Sequence, residues 1–232
     1  MIESLYKRRP EVADICANQG VSSAGLAMAI KKGYCGSKIE RIEIHGSCLM
    51  QGREVIDEGL SSFIATLRDG SCPKLKSLVF KARNKPHLVV MAMGEALGSR
   101  MTMGGSGLKS LVFQNPGHWH CEDVPDLSPL LSSGACEELE VMDLEGCGLS
   151  QEANASLAQW VARTRAPYLR HLIIDVSYDV MMALCTPGVA PCLEVMDLRP
   201  LRGVFGGGYS KDRGVHPHLS YAIKRRQWPH LR

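Results

Sequence analysis

Six times along the chain an apolar residue is followed three places on by a second and two places further by a third. The instances are Ile39-x-x-Ile42-x-Ile44, Leu75-x-x-Leu78-x-Phe80, Leu108-x-x-Leu111-x-Phe113, Leu139-x-x-Met142-x-Leu144, Leu169-x-x-Leu172-x-Ile174 and Leu193-x-x-Met196-x-Leu198. From the second apolar residue onward the pattern alternates, which is the period of a strand. Some 12 to 15 residues before each instance stands a different pattern, apolar-x-x-apolar-apolar. It comprises Leu26, Ala29 and Ile30; Leu60, Phe63 and Ile64; Met93, Ala96 and Leu97; Leu127, Leu130 and Leu131; Leu157, Trp160 and Val161; and Val180, Ala183 and Leu184. Residues at i, i+3 and i+4 share one helix face. Each unit therefore reads as strand, loop, helix, loop. Pro73, Pro167 and Pro191 each stand two residues before a strand core. Proline lacks an amide hydrogen and disfavours helix in the residue before it, so it ends the helix and delivers extended chain.

The units are copies of one another. Leu75-Lys76-Ser77-Leu78-Val79-Phe80 recurs as Leu108-Lys109-Ser110-Leu111-Val112-Phe113, and Leu139-Glu140-Val141-Met142-Asp143-Leu144 as Leu193-Glu194-Val195-Met196-Asp197-Leu198. Successive cores start 36, 33, 31, 30 and 24 residues apart, as insertions in loops around a fixed core would give. A lone strand and helix cannot bury their apolar faces. Stacked units bury them between a row of strands and a row of helices, and because helices are wider than strands the stack should curve.

The fullest copy extends to Leu139-x-x-Met142-x-Leu144-x-x-Cys147-x-Leu149. This resembles the leucine-rich-repeat family in its long, helical form, similar to ribonuclease inhibitor, over about residues 26 to 198. The resemblance implies an α/β solenoid with a curved parallel sheet on the concave side and helices on the convex side. It implies binding of a protein partner through the concave face or its rim. The chain departs from the family where Asn or Cys is usual after the strand. Cys147 fits, Ser47 and Ser177 substitute weakly, and Arg83, Pro116 and Leu201 do not fit, so irregular loops are expected there.

Composition narrows the class further. The chain has 232 residues, 45% of them apolar, enough for a sizeable core in a single unit. A net charge of +3 makes no strong electrostatic case for nucleic acid. No run of about 18 apolar residues occurs, and Met1 to Pro10 has no apolar signal core, so no membrane association is expected. Nine cysteines without paired spacing then read as reduced thiols, in cytoplasm or nucleus. Residues 1–25 read equally as a degenerate repeat, with Val12 and Ile15 in core places, or as an N-terminal cap. Residues 26–198 carry the clear repeats and 199–232 an irregular last one. In that tail Leu219, Ala222 and Ile223 copy the helix pattern, and Pro229-His230-Leu231-Arg232 copies Pro73-Lys74-Leu75-Lys76. A fragment, a natural stop and self-association through an uncapped end are all compatible with that.

Strand positions between the core residues should face away from the helices. After the second core residue come Glu43, Val79, Val112, Asp143, Ile173 and Asp197; after the third come His45, Lys81, Gln114, Glu145, Asp175 and Arg199. Val79, Val112 and Ile173 amid charge suit protein contact, although β-branched residues also serve strand propensity. These twelve residues are the candidate partner-binding surface. Other motifs carry less. Gly104-Gly105-Ser106-Gly107-Leu108-Lys109-Ser110 superficially matches a phosphate loop, but Leu108 interrupts the Gly-Lys-Ser ending and belongs to a strand core. His118-Trp119-His120-Cys121-Glu122-Asp123 holds metal-ligand residue types without zinc-site spacing and reads better as a loop. Lys81 to His87 is a basic loop of ordinary solvated kind. No nucleophile, base and orienting group assemble, so no catalytic residue, cofactor or metal is expected. The expected function is a non-catalytic protein-interaction module. The alternative, by fold analogy alone, is a regulator of an enzyme of GTPase-activating or ubiquitin-ligase adaptor type.

Overall fold

The computed structural model describes residues 12–15, 23–33, 36–45, 58–81, 87–113, 127–145, 147, 149–175, 178–199 and 228–231. Seven strands lie in one sheet: β1 (Val12–Ile15), β2 (Arg41–His45), β3 (Ser77–Lys81), β4 (Ser110–Phe113), β5 (Val141–Asp143), β6 (His171–Asp175) and β7 (Val195–Arg199). Six α-helices are described: α1 (Ser23–Lys31), α2 (Glu58–Arg68), α3 (His87–Thr102), α4 (Ser128–Ser132), α5 (Gln151–Thr164) and α6 (Tyr178–Leu184). The sheet is wholly parallel and its strand order is the order of the chain. Each helix neighbours the next in sequence. The class is therefore α/β with a parallel sheet, as the sequence pattern predicts.

The register ties the copies together. Ile42, Leu78, Leu111, Met142, Leu172 and Met196 pair in succession across the sheet. All but Met196 are buried in one cluster with the helix residues Leu26, Phe63, Met93, Leu130, Trp160 and Val180. The alternation within each strand sends these side chains to the helices and their neighbours to the other face. Phe80 and Phe113, equivalent in two copied hexapeptides, stack with ring centroids 4.6 Å apart.

A repeated turn aims each strand. Leu75 donates its amide to Cys72 O (3.2 Å), Leu139 to Cys136 O (3.4 Å), Leu169 to Ala166 O (3.2 Å) and Leu193 to Ala190 O (3.1 Å). The next two amides then share one carbonyl of the preceding unit. Lys76 and Ser77 donate to Glu40 O, Lys109 and Ser110 to Lys76 O, Glu140 and Val141 to Lys109 O, and so on through Glu194 and Val195 to Arg170 O, all at 2.7 to 3.0 Å. This fixes register before the strand begins, and a one-residue slip would turn every core side chain to the wrong face. The prolines fit because Pro73, Pro167 and Pro191 sit inside the turn, where the bonding amide belongs to the leucine two places on.

Helix ends follow local chemistry. Ser150 caps α5, its hydroxyl accepting from the Ala153 amide at 3.1 Å. Gly33 closes α1 with φ +77°, a conformation glycine adopts without strain. Ser128 begins α4 and Pro129 lies in its first turn, while Leu127 supplies no side-chain cap.

The first strand corrects the sequence reading. Residues 12–15 form a strand, but Ala13 pairs with Ile42 and Ile15 with Ile44. The core places are thus Ala13 and Ile15, two residues out of frame with the expected Val12 and Ile15. The carbonyl ladder sets register, and one small apolar residue is too weak a marker to reveal it from sequence. No helix among the described residues is long and apolar enough to cross a membrane.

Candidate interaction surface

The face turned away from the helices is built from transverse rows, because successive strands pair residue for residue. Glu43, Val79, Val112, Asp143, Ile173 and Asp197 form one such row, and Asp14 extends it at β1. Adjacent strands lie about 4.8 Å apart, so Asp143 and Asp197 flank Ile173 at roughly 10 Å from each other. Val112 and Ile173 are partly exposed, and so are Glu43, Asp143 and Asp197.

Val79 departs from expectation. It lies in the row but is fully buried. A valine is short, and the neighbouring strand carries the Arg41–Glu43 ion pair, with Arg41 Nε donating to Glu43 Oε1 at 2.7 Å. Being fully buried, Val79 offers a partner no accessible surface.

The second expected column is less regular. His45 pairs with Lys81, and Asp175 with Arg199, in the sheet backbone; their side chains lie outside what is described. Gln114 also lies outside it. Glu145 is exposed but is not part of a strand, because β5 ends at Asp143. The Asp143 carboxylate accepts the Glu145 amide at 3.1 Å, a side-chain turn that diverts the chain.

Sequence reasoning missed a third row on the same face, two residues earlier: Arg41, Ser77, Ser110, Val141, His171 and Val195. His171 and Val195 are exposed and Val141 partly so. Extending the period-two pattern backward by one step finds it. Val141 and Val195 thus flank the exposed His171, and Ile173 lies in the next row between Asp143 and Asp197.

It also missed a charged border at the start of the strands. Lys76 pairs with Glu40 at 3.4 Å, Lys109 with Glu140 at 2.6 Å and Arg170 with Glu194 at 3.3 Å. The hydrogen bond to Glu140 raises the Lys109 pKa, as does that carboxylate's charge. The signal was present: a charged residue follows the first core residue in every copy. These exposed pairs contribute little stability each but give the border mixed sign.

The glycine-rich motif is part of the packing. Leu108 is fully buried, and a Cβ on Gly105 would meet Arg100 Cγ at 2.5 Å. The glycine-rich stretch is therefore packed against its own protein. Arg100 itself is fully buried. Its Nη2 donates to Leu75 O (2.8 Å), Ser106 O (2.6 Å) and Pro73 O (3.2 Å), tying the turn before β3 to the one before β4. Burial lowers its pKa. The stretch from His118 to Asp123 and most of the basic loop lie outside the described residues; among those described, no His, Cys, Asp and Glu side chains group to hold a metal. Of the five cysteines described, all are free thiols; Cys72, Cys136 and Cys147 are buried. Burial pushes the Cys136 pKa up to about 12.

Comparison with protein-family models, with curated proteins and with solved structures finds no match to this chain.

Proposed function

We propose that the chain is a leucine-rich-repeat solenoid that binds a protein partner on the open face of its sheet and performs no reaction of its own. The observation that carries this reading is the in-register row from Glu43 to Asp197, in which Ile173 lies between two carboxylates, with Val141, His171 and Val195 in the row beside it. Partly exposed β-branched residues rimmed by carboxylates suit a protein partner: the apolar centre supplies burial and the charged rim supplies orientation. Six strand cores of one spacing, two pairs of them copied, and a strand order equal to chain order support the solenoid. In that architecture strands spaced at about 4.8 Å and helices at about 10 Å bend the sheet inward, and the row lies on the concave side.

The test compares partner capture by the wild-type chain, a face variant with Val112→Asp and Ile173→Asp, and a helix-side variant with Gln159→Asp. Circular dichroism verifies that all three fold. A protein retained by wild type and by the Gln159 variant but lost from the face variant supports the proposal. Equal retention by all three excludes this face.

A further inference from the structure

Charge is unevenly placed along the border where the strands begin. The residues just after the first core position are Glu40, Lys76, Lys109, Glu140, Arg170 and Glu194, and all of them are engaged in the ion pairs described above. The residues just before it, in the same register, are Lys38, Lys74, Gly107, Glu138, Tyr168 and Cys192. Lys38 ends the 3-10 turn Gly36–Lys38, and Lys74 lies in the turn from Cys72 to Leu75. These two turns touch, since a Cβ on Gly36 would overlap Ser71 O. Lys38 and Lys74 are thus like charges on adjacent rungs, roughly 5 Å apart at the backbone. Both are exposed, and among the described residues neither ammonium group has a hydrogen-bond or ion-pair partner. Lys31 and Lys32, at the end of α1, are exposed and unpaired in the same way. The helix dipole favours lysine at a helix C-terminus, which accounts for Lys31 and Lys32. It does not account for Lys38 and Lys74, which stand in turns, where neighbouring like charges repel. Two carboxylates bound the patch. Asp69 ends α2 at the place where Lys32 ends α1, about one helix spacing of 10 Å away, and makes no ion pair with it. Glu138 lies over Gly107, where a Cβ would meet its Cβ, Cγ and Cδ at 3.3 Å, and its charge acts on Lys109.

We infer that Lys38 and Lys74, together with Lys31 and Lys32, form the docking place for an acidic stretch of the protein partner, held extended with carboxylates at alternate positions. The inference rests on the face-binding reading and adds the part of the border that orients the partner. Carboxylates at i and i+2 of an extended segment stand on one side, about 7 Å apart, within reach of two ammonium groups on adjacent turns. The patch's length favours peptide over nucleic acid. It stops at Gly107, and the next rung carries Glu137 and Glu138, both exposed. A phosphate backbone continuing along the border would meet those carboxylates, whereas a short acidic stretch ends before them. Charge at the rim of an interface sets orientation and on-rate more than affinity, which suits a patch beside the binding face.

The probe is a Ser-Glu-Ser-Glu-Ser peptide, titrated against the isotope-labelled full chain by NMR beside its glutamine counterpart, in salt of about 0.1 M, where the Debye length is about 10 Å. The glutamate peptide shifts the amides of Lys38 and Lys74 saturably, and the glutamine peptide does not. Lys38→Glu combined with Lys74→Glu weakens binding at least about fivefold, the amide spectrum verifying that the variant is folded. Arg165 is an exposed cation three strand spacings from Lys74, about 15 Å along the border. Because that exceeds the Debye length, Arg165→Glu changes binding less than about twofold. Val112→Asp combined with Ile173→Asp leaves peptide binding unchanged, so failure here and failure of the face-binding proposal are distinguishable. Absence of shifts at Lys38 and Lys74 overturns the inference, as does an equal response to both peptides or equal weakening by Arg165→Glu. Inorganic phosphate or a single-stranded oligonucleotide that shifts the same amides at lower concentration than the peptide overturns it in favour of a phosphate ligand.

Discussion

Helix α3 contains two glycines one turn apart, and the structure predicts opposite outcomes for the same substitution in them. A Cβ on Gly94 would lie 2.6 Å from Leu130 N and Pro129 C and 2.9 Å from Pro129 O. All three are backbone atoms of α4. That backbone is held by the proline ring and by the Ser128–Ser156 hydroxyl contact at 2.5 Å. A Cβ on Gly98 would meet only Ser133, with its nearest atom 3.4 Å away. Alanine in a helix interior gains about 1 kcal/mol over glycine through chain entropy. At Gly98 this gain stands nearly alone, so Gly98→Ala should stabilise by up to about 1 kcal/mol. At Gly94 it is opposed by overpacking, which costs about 1–3 kcal/mol and more where backbone must shift. Gly94→Ala should therefore destabilise by about 1–2 kcal/mol. For a chain of this size that is a melting-temperature loss of roughly 2–8 °C, against a rise of about 2–4 °C for Gly98→Ala. Urea and thermal unfolding of the two variants beside wild type give the answer. A Gly94→Ala protein as stable as wild type would refute the close α3–α4 packing.

Three further outcomes follow from the packing and the thiols. Arg100→Ala strips donors from the carbonyls of Pro73, Leu75 and Ser106 and leaves a cavity, so urea unfolding should show a loss of about 3–5 kcal/mol; a loss under about 1 would contradict the anchoring role. The Cys136 pKa is raised from 9.0 to about 12 in the folded chain, so its contribution to stability is intact below pH 9 and lost as pH rises through 12. That loss is on the order of 4 kcal/mol, and the wild-type stability curve should fall more steeply than that of Cys136→Ala between pH 9 and 11, parallel curves being the contrary result. Arg165 ends α5 with φ +59°, where an L residue is strained by about 1 kcal/mol, so Arg165→Gly should raise the denaturation midpoint rather than lower it.

Much of this was legible in the chain itself. The six apolar helix triplets all fall at described helices, and the six cores all enter strands, because each pattern has enough repeats of its period to exclude the other. Trp160 was readable as core and is buried. What sequence could not supply was context beyond one element. Period two says that Val79 faces away from the helices, but not that it is fully buried there. It could not say that the Asp143 carboxylate would end β5 and turn Glu145 out of the column. Arg100 stands at i+7 on the α3 stripe of Met93, Ala96 and Leu97, a visible polar break whose use depends on carbonyls 25 and 27 residues away. Gly94 has no sequence signal at all, since its reason is the backbone of another helix.

The surface account and the fold account meet at Ile173, which lies in the row between Asp143 and Asp197. The most direct measurement puts a photo-crosslinking amino acid at that position and, in a second protein, at Gln159 on the exposed side of α5. A discrete adduct with a partner protein at position 173, absent at 159, is the predicted result. An adduct at 159 alone would contradict recognition through the sheet face.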